Sequence, residues 1–336
     1  MKPHGLITIL AAVTLGVSPV TAQAPGVPIE QAGPAAQASV LEKAKALREA
    51  GKLKLNIAAV KQQITTPVPG PLVLPAPSKV PLEGRDVAVR AHAGYLRFGW
   101  YYLCPRCDHW HVNLAGSYAI ATDAIATCHH CVEQKPEMRE GYLIAVDHTG
   151  AVLAVTAILA KSATMDAAIL RVDGKLKALA LNDNVAPGDA AYCYSAPLGQ
   201  QGYFSAGIVN RFYWRGTPGA AGTPDEWKML RLNVSTDWAP GSSGAAVLDR
   251  CGNVIGHVST ISPLGEGPRR APVPPGKADG KNPAAKVDRF GGATLITLHE
   301  AVPARSVLSL ATTLRDQKPA DGAAAGSPPP APISGR

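Results

Sequence analysis

The sequence predicts an all-β core, a barrel or a sandwich. Short β-rich runs recur at even spacing, Gly, Asp and Asn separate them, and no long helical pattern lies between. The runs cover 94–103, 110–121, 142–147, 151–159, 167–172, 189–195, 203–213, 229–234, 244–248 and 253–261, with one more over 290–297. Asp147-His-Thr-Gly150 and Asp249-Arg-Cys-Gly-Asn253 have the composition of hairpin turns. Val302 to Leu314 holds the one sizeable helical pattern late in the chain, with Pro303 tolerated in its first turn.

The flanks read differently. Residues 1–22 begin with Lys2 and His4, run apolar from Leu6 to Val17, and carry small residues at Val20 and Ala22. This is the pattern of a secretory signal peptide, and cleavage is expected after Ala22, because Pro25 would directly follow the alternative at Ala24. Pro19 interrupts a segment already too short to span a membrane, so the expectation is an exported protein, periplasmic or secreted, without a membrane span. Residues 23–37, rich in Ala, Pro, Gly and Gln, predict disorder. Ser39 and Glu42 form an S-x-x-E capping pattern, with Val40, Leu41, Ala44 and Leu47 on one face and Gly51 as a stop, which predicts a short helix over 40–50. A stiff Pro-rich linker follows over 67–81. The organisation expected is an N-terminal extension over 23–85, a main domain over 86–316 with a mobile Pro/Gly/Lys-rich insertion at 264–287, and a disordered tail over 317–336.

Among 336 residues, 46% are apolar, enough for one large core or two smaller ones. The net charge of +8 is spread along the chain with no dense Lys/Arg block and no aromatic interleaving, which argues against a nucleic-acid partner. The sequence gives no sign of an oligomeric state.

Thr236 to Asp249 carries the first chemical signal. Pro240-Gly241 turns the chain just ahead of Ser243 and Gly244, so that the amides of Gly241 and Ser243 can point at one spot beside the Ser243 hydroxyl. Serine unaided is a poor nucleophile at neutral pH, so the turn needs a base and an orienting acid. A β run ending in Thr127-Cys128-His129-His130-Cys131 offers the base, and Asp166, directly before an apolar strand, offers the acid. Taken alone, the Ser243 segment reads equally as an ordinary Gly-rich turn.

Together and in this order, Thr127 to His130, Asp166 to Leu170 and Gly241 to Gly244 resemble the Thr-x-x-His, Asp-x-Ala-x-Leu and Gly-x-Ser-Gly elements of the trypsin/chymotrypsin-like serine proteases. The resemblance is to their compact bacterial branch, which includes the HtrA/Deg proteases. Gly188 to Gly199, Ser205 to Val209 and Gly256 to Thr260 add further matches, so the resemblance spans about 92–314. It implies a chymotrypsin-like double β-barrel with a C-terminal helix and no PDZ domain. The implied activity is that of a serine endopeptidase acting on proteins or peptides through an acyl-enzyme, with no cofactor for catalysis. Ser243 would be the nucleophile, His130 the general base and Asp166 the group that fixes its tautomer. The amides of Gly241 and Ser243 would form the oxyanion hole, and Ser259 would hydrogen-bond Asp166. The offset from Thr127 favours His130 over His129 as the base. Asp237 stands where trypsins place the acidic floor of the specificity pocket, with a turn role as the alternative, and Trp238 would line or fill that pocket.

Two departures from the family pattern stand out. Ser242 occupies the position of the Asp that trypsins pair with a new N-terminus, so no such activation is expected. Ala245-Ala246 replaces the usual residues after Ser-Gly and keeps open a protease-like binding scaffold without turnover. The family also implies a Cys193–Cys251 disulfide. Cys104-x-x-Cys107 and Cys128-x-x-Cys131 allow either two cross-bridges between the pairs or one structural zinc, the latter also fitting a zinc- or thiol-stabilised interaction module.

Overall fold

The computed structural model describes residues 33–133, 137–223, 226–265 and 294–316. The expected signal peptide, nearly all of the 264–287 insertion and the 317–336 tail lie outside the described residues. Among the described residues, twelve strands close into two six-stranded antiparallel barrels. The first contains β1 (Tyr95–Leu103), β2 (Trp110–Ala121), β3 (Ala124–Thr127), β4 (Glu140–Asp147), β5 (Val152–Ser162) and β6 (Ala167–Val172), in the order β1-β2-β3-β6-β5-β4. The second contains β7 (Ala190–Ser195), β8 (Tyr203–Trp214), β9 (Leu230–Val234), β10 (Ala246–Leu248), β11 (Val254–Gly265) and β12 (Thr294–Pro303), in the order β10-β11-β12-β9-β8-β7. This is the chymotrypsin-like double barrel, with the closure that removes exposed sheet edges.

Alternation along the strands fills the interiors. Leu96, Phe98 and Trp100 of β1 meet Leu143 and Ala145 of β4 and Ile158 of β5 inside the first barrel. A second, larger cluster runs between the barrels, joining Tyr118, Ile120 and Ile169 on one side to Tyr194, Trp238, Ala245 and Val247 on the other. The barrels meet at Gly116, whose amide donates to the Ser243 carbonyl at 2.8 Å and where an added Cβ would lie 2.7 Å from the Ala245 nitrogen.

Among the described residues, four helices flank the barrels outside the candidate site. α1 (Pro34–Glu49) starts before the expected position: Pro34 sits at the helix start, where its fixed φ suits the first turn, and Ser39 is interior rather than a cap. Val40 and Ala44 are buried against Tyr101 and Ile144, and the Arg48 guanidinium lies 4.1 Å from the centre of the Trp110 ring. α2 (Ile57–Thr65), capped by Asn56 accepting from the Ala59 amide at 2.9 Å, and α3 (Gly84–Gly94) were not expected. The Pro-rich segment between them is extended but is no free linker. Leu72 is buried, Val68 donates to the Ile158 carbonyl of the first barrel at 2.9 Å, and Ser78 pairs with Asn253 of the second. The described part of the N-terminal extension therefore braces both barrels. The last helix begins at Ala304, since Val302 and Pro303 still pair with β11, and buries Val307, Leu310, Ala311 and Leu314 on one stripe. At about 1.5–3 kcal/mol per large apolar side chain buried, that stripe holds it firmly.

Candidate active site

β3 ends at Thr127, and a single helical turn, α4 (His129–Val132), carries His130. β6 is preceded by a tight turn that places Asp166 in the left-handed region at φ 60°, a conformation that strains any residue but Gly by about 1–3 kcal/mol. The result is a bidentate approach. His130 Nδ1 lies 3.0 Å from both Asp166 oxygens, and the His130 amide donates to Oδ1 at 3.1 Å. Ser259 of β11 donates to Asp166 Oδ2 at 2.6 Å. With Nδ1–H committed to Asp166, Nε2 is the nitrogen left to take a proton.

These contacts set the protonation states. The Asp166 hydrogen bond, then Cys131, push His130 up to about 10 against the opposing effect of burial. Burial would raise Asp166, but the hydrogen bonds from His130 and Ser259 overcome it and hold the carboxyl well below the usual range. His129, the rival base, is buried, and its imidazole is pulled down mainly by that burial; its Nε2 faces Glu133 at 3.9 Å.

Ser243 stands on the facing turn of the second barrel. Gly241 has φ 102°, with an added Cβ 2.9 Å from the Ala196 carbonyl oxygen. Among the described residues, the amides of Gly241 and Ser243 have no hydrogen-bond partner. The Ser243 hydroxyl makes no hydrogen bond to His130, a link that commonly tightens only with substrate bound. Ser242 is fully buried and donates to Ser195 Oγ at 3.1 Å, so a neutral hydroxyl pair supports the Ser243 turn.

Sequence reasoning missed His257. Its Nε2–H donates to the Asp166 carbonyl at 3.1 Å, and its Nδ1 accepts from the Tyr118 hydroxyl at 3.3 Å. Full burial pulls it down to about 4 and keeps it neutral, as both bonds require. The available signal was β11 alternation: His257 and Ser259, two apart, share a face. His257 acts as a positioning residue that pins the strained Asp166 backbone. Losing a buried hydrogen bond of about 1–3 kcal/mol there is expected to lower kcat of His257→Phe by about tenfold to 100-fold with little change in KM, and His257→Gln should recover part of it. Steady-state kinetics on a peptide substrate test this; a drop in melting temperature with kcat intact would reduce His257 to a packing role.

The remaining expected residues are Asp237, Trp238 and the cysteines. Asp237 is exposed, and only its backbone is held, by Ser205. Its exposed carboxylate and held backbone fit the turn role rather than a buried pocket floor. Trp238 is buried, donates its indole N–H to the Thr260 carbonyl at 3.1 Å and meets His299 edge-on, so it fills space rather than lining it.

All six cysteines are free thiols. Cys193 faces Val247 in the ladder and is buried, whereas Cys251 lies in the turn beyond the end of β10, out of disulfide reach. The other four split into two groups. Cys104 and Cys107 occupy the tip of the long β1–β2 hairpin, while Cys128 and Cys131 sit beside Thr127, whose hydroxyl reaches the Gly116 carbonyl. Gly116 is six residues along β2 from Trp110, about 20 Å at ~3.3 Å per residue, so neither cross-bridges nor one shared zinc can form. Cys128 donates to the Val258 carbonyl at 3.0 Å, and burial keeps its thiol raised; Cys131 is pulled down to about 6 by Cys128, then by His130. The donor atoms of Cys128, His130 and Cys131 lie within 4.8 Å of one another, so a soft metal bound there would occupy the base.

Residues 116–256 match the family model of the trypsin-like peptidase domain. The segment contains His130, Asp166 and Ser243 but not Ser259. Among solved structures, the chain is similar to the HtrA-type protease AlgW with a tripeptide, at 18% identity and a TM-score of 0.47, and to a variant form of that complex, at 17% and 0.48. In each case 70% of this chain is covered, and it spans 64% of the length of the chain matched. No curated protein matches. No helix among the described residues is long and apolar enough to cross a membrane.

Proposed function

We propose that the protein is an exported serine endopeptidase that cleaves protein or peptide substrates through an acyl-enzyme. The observation that carries this reading is the hydrogen-bonded series Ser259–Asp166–His130, facing a turn where the amides of Gly241 and Ser243 are unengaged. Ser243 Oγ attacks the scissile carbonyl carbon as His130 Nε2 takes its proton. The two amides receive the oxyanion, and removing such a donor typically costs about 2.7–4 kcal/mol in the transition state. Collapse of the tetrahedral intermediate expels the amine, which takes the proton from His130. Water, activated by the same imidazole, then hydrolyses the ester. Asp166 keeps Nδ1 protonated throughout and stabilises the imidazolium.

A fluorophosphonate probe tests the proposal directly. Folded wild-type protein should be labelled at Ser243, and Ser243→Ala should not be. A folded wild type that resists labelling would favour the binding scaffold suggested by Ala245-Ala246.

A further inference from the structure

We propose that Cys104, Cys107 and His111 form a mononuclear zinc site at the tip of the β1–β2 hairpin, separate from the catalytic residues. Their donor atoms lie within 4.8 Å of one another, and Cys107 Sγ is 3.0 Å from His111 Nε2. Two sulfurs and one imidazole are a soft, tetrahedral donor set that suits Zn²⁺ and leaves a fourth position for water or an added ligand.

A tight turn follows Cys104. The chain then doubles back, with Asp108 donating to the Cys104 carbonyl at 3.2 Å and Cys104 donating to the His109 carbonyl at 3.0 Å. Asp108 adopts the left-handed conformation at φ 58°, which directs the chain back into β2 and sets His111 beside Cys107. His109 takes no part: its Nδ1 faces the Cys107 carbonyl. A Cys104–Cys107 disulfide, the alternative for an exported chain, would leave the approach of His111 to sulfur without a purpose.

The site also reaches the catalytic base through the chain. Arg139 donates its guanidinium to Asp108 and its amide to the Leu103 carbonyl, and Arg106 lies 3.5 Å from Glu137. Residues 137–139 belong to the connection leading from α4, the turn of His130, to β4. A metal that locks the hairpin tip therefore fixes the far end of that connection.

Cobalt(II), added to the reduced full-length protein, is the probe. The expected result is a cysteinate-to-cobalt charge-transfer band saturating at one equivalent and bleached by zinc. Cys104→Ser and His111→Ala should each reduce bound metal to under roughly a tenth of the wild-type amount, whereas Cys128→Ser should retain it. His111→Ala, at a partly exposed position, keeps the test valid should Cys104→Ser misfold. A band that survives in His111→Ala, or disappears only in Cys128→Ser, would overturn the assignment. So would a Cys104–Cys107 disulfide in the isolated protein that, once reduced, takes up no cobalt.

Discussion

Asp166→Asn is expected to lower kcat by about 10⁴-fold while leaving the melting temperature nearly unchanged. The amide retains the shape of the carboxylate, so Ser259 and the His130 amide keep a partner. What changes is His130: with no carboxylate at Nδ1, the tautomer that leaves Nε2 free to accept a proton is no longer enforced. The pH profile adds a second, independent readout. In wild type the carboxylate holds the proton on His130 well above the free imidazole value near 6.5, so the neutral base forms only as pH rises. The acid limb of kcat/KM should accordingly lie above pH 6.5, with optimal activity in the alkaline range. In Asp166→Asn the limb should move toward lower pH as the residual activity falls. A wild-type limb at or below 6.5, or a variant within tenfold of wild type, would remove Asp166 from its assigned role.

Gly244→Ala is expected to be severely damaging for so small a substitution. Gly244 has φ 82°, and a Cβ there would lie 2.2 Å from Thr127 Oγ1 and 2.3 Å from the Gly116 carbonyl oxygen. Left-handed strain contributes about 1–2 kcal/mol, and displacing two elements of the other barrel adds to it. A loss of at least about 3 kcal/mol is anticipated, which for a domain of this size corresponds to a fall in melting temperature of roughly 6–12 °C. Fluorophosphonate labelling should fall further than stability does, because Gly244 directly follows the nucleophile. Calorimetry on Gly244→Ala beside Gly222→Ala, whose added Cβ meets nothing within 4 Å, separates the clash from backbone strain alone.

Much of the barrel architecture was legible because alternation and turn residues are local. β2 and β6 fall on the residues expected, and most other strands lie within a few positions. The helices were harder. α2 buries only Val60, too little for a periodic stripe, and the S-x-x-E pattern at Ser39 misled because Pro34 had already begun the helix. At the other end, Pro303 read as a helix start but closes β12, where it pairs with Gly256. In the site, His130, Asp166 and Ser259 were legible as short motifs, and the structure joins them by hydrogen bonds. His257 was not, since a neutral buried histidine leaves no charge pattern. The cysteines misled because spacing along a chain does not reveal how far a hairpin carries one pair from the other.

The contact at Gly116 has a consequence for timing. The proposed base His130 and its acid Asp166 belong to one barrel and the proposed nucleophile Ser243 to the other, and the carbonyl of Ser243 itself is held across the seam by the Gly116 amide. On the proposed mechanism neither half can cleave by itself, so a partly folded chain carries no working scissors, and hydrolytic power arrives only with the final docking of the two barrels.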